Sequence, residues 1–133
     1  MKLKDIKYRL RIKEAEELLA DWKRKGDILI VPLKGELDHH QADKVRDFLD
    51  RLLEDASIRH LILDLSDLFF MDSSGIGVFI GRYKTISKRG GQVCITNVNT
   101  QLHKVLELSG LYRILKKYDT VQHAVDGIRR VSV

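Results

Sequence analysis

Residues 60–88 read HLILDLSDLFFMDSSGIGVFIGRYKTISK. The opening run, His60 to Leu65, has almost no polar interruption, as expected of a strand covered on both faces in an α/β layer. That places it centrally in a sheet. In the second half Ile76, Phe79, Ile80, Tyr83 and Ile86 recur at helical spacing as far as Arg89-Gly90-Gly91, a stop signal. Asp72-Ser73-Ser74-Gly75 joins the two, so the seryl pair opens a helix directly after a strand.

The pattern repeats on both sides. Toward the C-terminus, Val93-Cys94-Ile95 reads as another strand, and Leu102, Val105, Leu106 and Leu111 as a helical region broken at Gly110. A short strand near Lys116 to Tyr118 follows, then Thr120 as the cap of a last helix carrying Val121, Ala124, Val125 and Ile128. Toward the N-terminus, Ile28 to Leu33 is apolar and β-branched, with Pro32 suited to an edge or a bulge. Asp38 with Gln41 resembles a capping box, and Ala42, Val45, Leu49, Leu52 and Leu53 supply the helical stripe after it, to about Asp55. Strands alternating with helices define an α/β class with right-handed crossovers between parallel neighbours.

The first 27 residues are less regular. Ile6, Tyr8, Leu10 and Ile12 alternate with Lys7, Arg9, Arg11 and Lys13, the period of a half-buried strand. Ala15, Leu18, Leu19 and Trp22 then share a helical face, with a stop at Gly26-Asp27. One continuous helix from Lys4 to Lys25 is the alternative, and it sets Tyr8 and Leu10 on conflicting faces. Leu18, Leu19 and Trp22 are expected to cover a sheet edge or a hydrophobic patch.

At 133 residues, 44% hydrophobic and 32% charged, the chain has the balance of one compact globular domain. No apolar run approaches the roughly eighteen residues of a membrane span, and the N-terminus lacks the pattern of a secretory signal. A cytoplasmic protein is expected. Cys94 is the only cysteine, which excludes an internal disulfide and a cysteine-rich metal site. The net charge of +5 is concentrated at the ends: residues 2–25 hold nine basic against five acidic side chains, and Arg129 and Arg130 lie near the C-terminus. Without interleaved aromatics or a recognition motif, this reads as a solvated basic surface, not as a direct contact with nucleic acid.

Catalytic constellations are absent from the pattern. Gly75-Ile76-Gly77 begins a dinucleotide fingerprint, but Ile80 stands where the third glycine belongs and the stretch lies inside a helix. Glycines at 75, 77 and 81 instead permit close packing, against the sheet or against a partner. There is no Walker A loop and no nucleophile elbow around Ser74. His39 and His40 are adjacent, so on a helix they diverge by about 100° and cannot share a metal as an i, i+4 pair would. What remains is a hydroxyl pair beside a carboxylate at the start of a helix. Any protein could use it as a cap. A phosphoryl group there would bring almost two negative charges next to Asp72, while the helix N-terminus tolerates them. The fold would survive and an interface would not.

Gly35-Glu36-Leu37-Asp38-His39-His40, Arg59-His60-Leu61-Ile62-Leu63-Asp64-Leu65, Phe70-Met71-Asp72-Ser73-Ser74-Gly75-Ile76-Gly77-Val78 and Gly81-Arg82-Tyr83-Lys84 together resemble the STAS-domain anti-sigma-factor antagonists, the sporulation members above all. The likeness runs from about residue 28 to the end. It implies a STAS fold: a mixed central β-sheet of four to five strands with about four helices packed on it, plus here an extra N-terminal helical segment. One domain over 1–133 is expected, with 1–27 divergent and 28–133 the family core. Members of this kind join their first two strands by a short turn. Here either a helical segment is inserted between them, or the strand is missing and a helix is appended.

The resemblance also implies a mechanism. The unphosphorylated protein binds an anti-sigma factor serine kinase and so releases a sigma factor; the kinase phosphorylates the second serine, here Ser74, and a PP2C-type phosphatase restores it. ATP and Mg²⁺ belong to the kinase, and the chain itself is no enzyme and needs no cofactor. Asp38, Asp72, Ser73, Ser74 and Gly75 are the expected partner contacts. The rivals are a phosphorylation-independent STAS scaffold in a stress-signalling assembly and a small nucleotide hydrolase, the latter without a phosphate loop.

Overall fold

The computed structural model describes residues 2–19 and 21–131, the side chains of Glu17, Leu18 and Val131 excepted. Five strands form one sheet in the order of the chain: β1 Lys23–Lys25, β2 Ile28–Leu37, β3 His60–Met71, β4 Val93–Thr96 and β5 Lys116–Tyr118. β1 pairs antiparallel with β2, and the other three pairings are parallel, so the sheet is mixed with β3 at its centre. The helices are α1 Leu3–Leu18, α2 His39–Leu52, α3 Ser73–Lys88, α4 Thr100–Leu108 and α5 Val121–Val131, with a 3₁₀ turn at Leu111–Arg113.

Strand alternation divides the core into two layers. Leu29, Val31, Leu33, Leu61, Leu63, Leu65, Val93 and Ile95 face one side, where they pack with Val45, Phe48 and Leu49 of α2, Val78, Phe79 and Ile86 of α3, and Leu102 and Leu106 of α4. Ile28, Ile30, Ile62 and Cys94 face the other side, covered by Ala124, Val125 and Ile128 of α5. Because the inner strands are covered on both sides, they lack the apolar-polar alternation of a half-exposed sheet. Burial of Cys94 pushes its thiol up to about 11, so it behaves as a small core hydrophobe.

β2 carries the irregularity expected of Pro32. Its register against β3 shifts between Pro32 and Lys34 and again between Gly35 and Glu36, and Gly35 takes φ 75°, a conformation that favours glycine. After these shifts β2 and β3 still finish level, with Leu37 opposite Met71. Two parallel strands ending together deliver α2 and α3 side by side.

The N-terminal segment corrects the strand reading. Residues 6–12 lie in α1, which precedes the sheet, and the first strand is β1, joined to β2 by the turn at Gly26-Asp27. The helix is therefore appended before the first hairpin and not inserted within it, and Gly26-Asp27 turns a hairpin where a helix stop was expected. The alternation that suggested a strand has no buried face behind it, because residues 2–10 are exposed on every side of the helix. Leu, Lys, Arg and Glu are good helix formers, and nothing opposes that propensity here. From Arg11 onward α1 packs on α2: Ile12, Ala15 and Leu19 are buried, Arg11 Nε donates to Asp47 Oδ2 at 2.8 Å, and Lys44 pairs with Glu14 at 2.6 Å. Leu19 thus joins the core as expected, whereas Trp22 keeps 39% of its surface exposed; the Leu18 side chain lies outside the described residues. The exposed Lys23, Arg24 and Lys25 of β1 form a charged edge, which discourages further strand pairing. Among the described residues no helix is long and apolar enough to cross a membrane.

Candidate functional site

Both helices that leave the level ends of β2 and β3 are capped by an aspartate in extended conformation. Asp38 Oδ1 accepts from the His40 and Gln41 N–H groups at 2.9 and 3.1 Å, and Asp72 Oδ1 from Ser74 and Gly75 at 2.8 and 3.4 Å. The Asp72 carboxylate also reaches across. Its Oδ2 accepts from the His39 N–H at 3.2 Å, so one side chain serves two helix starts. The Asp72 N–H donates to the Leu37 carbonyl at 3.4 Å, continuing the strand pairing into the site. Satisfying otherwise orphaned N–H groups in this way stabilises a helix by about 1 kcal/mol per cap.

Gly75 is required by the same geometry. A Cβ there would collide with the Met71 side chain and stand 2.7 Å from the Leu37 carbonyl oxygen. Gly77 and Gly81 are different, since a Cβ at either meets nothing within 4 Å. Of the three glycines singled out in the sequence, Gly75 packs against the domain's own strand ends, and the other two face open space.

The expected site residues are thus brought together at one end of the sheet. Ser73 is exposed, Ser74 is half-buried, Gly75 is buried beneath them, and Asp38 and Asp72 stand at adjacent helix starts. Ser74 lines a groove of about 410 Å³ between α2 and α3, whose walls are His39, Ala42, Asp43 and Arg46 from α2 and Gly77 and Val78 from α3. Reading motifs one at a time missed Asp43 and Arg46. The signal was the spacing 39, 42, 43, 46, one face of α2, aligned with 74, 77, 78 on α3.

His39 and His40 are exposed and lie against each other with ring centroids 3.9 Å apart and planes tilted by 38°; among the described residues no His, Cys, Asp or Glu cluster could hold a metal ion. Arg82 of the Gly-Arg-Tyr-Lys motif is elsewhere: 7% exposed on α3, its Nε is 3.1 Å from Asp50 Oδ1 on α2. Burial lowers the pKa of Arg82 and raises that of Asp50, while their mutual attraction opposes both shifts. That arginine ties two helices together and does not face outward.

The capped pair of helix starts and the serine beside a carboxylate stand on a sheet ordered β1-β2-β3-β4-β5, and residues 20–124 match the STAS domain family. The chain belongs to the STAS-domain family, within its anti-sigma factor antagonists. It is 44% identical over 105 residues to the anti-sigma F factor antagonist of Paenibacillus polymyxa, covering 79% of this chain and 90% of the relative. The solved structure of the anti-sigma factor antagonist SpoIIAA in its unphosphorylated form superposes with a TM-score of 0.67 at 25% identity, covering 82% of this chain and 96% of that one. The Bacillus cell fate determinant SpoIIAA in its phosphorylated form gives 0.65 at 27% identity, covering 81% and 97%. All of α1 lies before the family match.

Proposed function

We propose that this chain is an anti-sigma-factor antagonist whose unphosphorylated form binds an anti-sigma factor kinase in the cytoplasm and frees a sigma factor, and that phosphorylation of Ser74 switches it off. The observation that carries the reading is the placing of Ser74: on the first turn of α3, in an open groove, beside an Asp72 carboxylate already engaged with two helix starts. Its relative SpoIIAA has been solved both with and without phosphate, and both forms share this fold. The chain contributes a docking surface formed by Asp38, Asp72, Ser73 and Ser74, with Gly75, the fifth expected contact, buried beneath them as support, and not a reaction. The kinase supplies ATP and Mg²⁺, and a PP2C-type phosphatase returns the hydroxyl.

In this reading the switch works through charge. A phosphoserine carries roughly −1.5 to −2 at neutral pH. Introduced next to Asp72 and close to Asp38, it makes the docking end strongly anionic and bulkier without touching the core. Gly77 and Gly81 leave the adjoining face of α3 bare, which allows a partner backbone to approach closely.

The test is to incubate the protein with an anti-sigma factor kinase and Mg-ATP and to map the label by mass spectrometry. Label on Ser74 is expected, lost in Ser74→Ala, with Ser74→Asp folded but at least tenfold weaker in binding. Label confined to Ser73 refutes the site; absence of label with tight binding favours the phosphorylation-independent scaffold.

A further inference from the structure

We propose that Arg46, assisted by His39, is the receiver that holds the phosphoryl group on Ser74 inside the α2–α3 groove. The inference rests on Ser74 as the acceptor and adds what happens to the dianion afterwards. Two carboxylates, Asp38 and Asp72, face the first turns of α2 and α3, and Asp43 lines the same groove. A phosphoryl group among three acids is repelled unless cations answer it. The groove walls supply two, the Arg46 guanidinium and, in its protonated form, the His39 imidazole, whose Nδ1 stands 3.9 Å from Asp72 Oδ2.

Arg46 already reaches into the groove with one end of its guanidinium. Its Nη1 bonds Asp43 Oδ1 at 3.1 Å, one turn nearer the start of α2, and Nε and Nη2 contact Asp47 Oδ1 at 3.2 and 3.1 Å. Leaving Asp47 would ordinarily be costly, because that side chain is only 11% exposed. Here Asp47 has a second cation: Arg11 of α1 donates to its other oxygen at 2.8 Å. Arg46 can therefore turn to a phosphate without orphaning the buried Asp47, while Asp43, 62% exposed, is left to solvent. Guanidinium suits the task, since it offers a planar fork to phosphate oxygens. The same exchange makes Arg11 the principal partner of Asp47 in the phosphorylated molecule.

Phosphoserine placed at position 74 during translation tests the receiver without any kinase. In ³¹P NMR titrations the second ionisation of the phosphate should lie below the ~6 of a free phosphoserine. It should rise by roughly 0.5–1 pH unit in Arg46→Gln, less in His39→Gln, and return toward wild type in Arg46→Lys. Arg51→Gln, which removes the same charge from the far end of α2, should leave it unchanged. Equal values in wild type and Arg46→Gln, with both folded by circular dichroism, overturn the proposal; so does an equal rise in Arg51→Gln. If the phosphoserine-74 protein binds the anti-sigma factor as tightly as the unmodified one, the switching function fails while the ³¹P result still decides the receiver.

Discussion

Glycine 75 and glycine 77 are two residues apart on one helix and obey opposite rules. At Gly75 a methyl group would press on the Met71 side chain and the Leu37 carbonyl, backbone that cannot give way without moving α3. Gly75→Ala should therefore cost about 1–3 kcal/mol. At Gly77 the space is open, so Gly77→Ala removes only the penalty of a helical glycine and should stabilise by about 0.5–1 kcal/mol. Urea denaturation of both variants checks the contrast, and a Gly75→Ala protein as stable as wild type would remove the close approach from the account. Both caps were legible in the sequence, because an Asp just before a helical stripe has a local reason to be there. The shared role of Asp72 was not, since the His39 N–H it accepts comes from 33 residues away and meets it only through the level ends of β2 and β3.

At the scale of elements the informative case is α1. Its residues alternate between apolar and basic, and period two suggests a strand only when one of the two faces is buried. Here residues 2–10 have no buried face, and the pattern that matters is Ile12, Ala15 and Leu19, three and four apart. The short β1 escaped notice because Lys23, Arg24 and Lys25 carry no apolar signal at all; the strand exists through its pairing with β2. The inner strands and the four helices packed on them were legible, since two-sided burial and a helical stripe each leave a distinct trace. Ala15→Asp would place an unpaired charge in the α1–α2 contact, at a cost on the order of 1–3 kcal/mol. Amides of residues 11–18 should then exchange freely while those of β3 and β4 stay protected; loss of protection throughout would mean that α1 is integral to the sheet's stability.

For the molecule as a whole, the buried His60 at the start of β3 ties stability to pH. Its Nδ1 accepts from the Gln92 N–H at 3.1 Å, so the ring is held neutral, and its Nε2 is 3.9 Å from Asp27 Oδ2. Burial lowers its pKa below the ordinary value of 6.5, with Asp27 opposing. A depressed histidine pKa means that the unfolded chain binds the proton more readily. The stability it contributes is complete above about 6.5 and is lost as pH falls from there through the folded pKa. Urea midpoints should decline between pH 7 and pH 5, and His60→Asn should flatten part of that decline. An unchanged slope in the variant would show that His60 is not the source of the decline.

The close contact beneath the seryl pair has one more consequence, for how mutations would be tolerated. Ser74 carries the proposed message, yet nothing in the packing asks for a serine there; Gly75 carries no message, and the packing asks for glycine alone. A library of all single substitutions screened for soluble expression would see position 75 and pass over 74. The same library screened for sigma-factor release would see both. Subtracting the first map from the second would isolate the switch from the scaffold that holds it, at neighbouring positions on a single turn of helix.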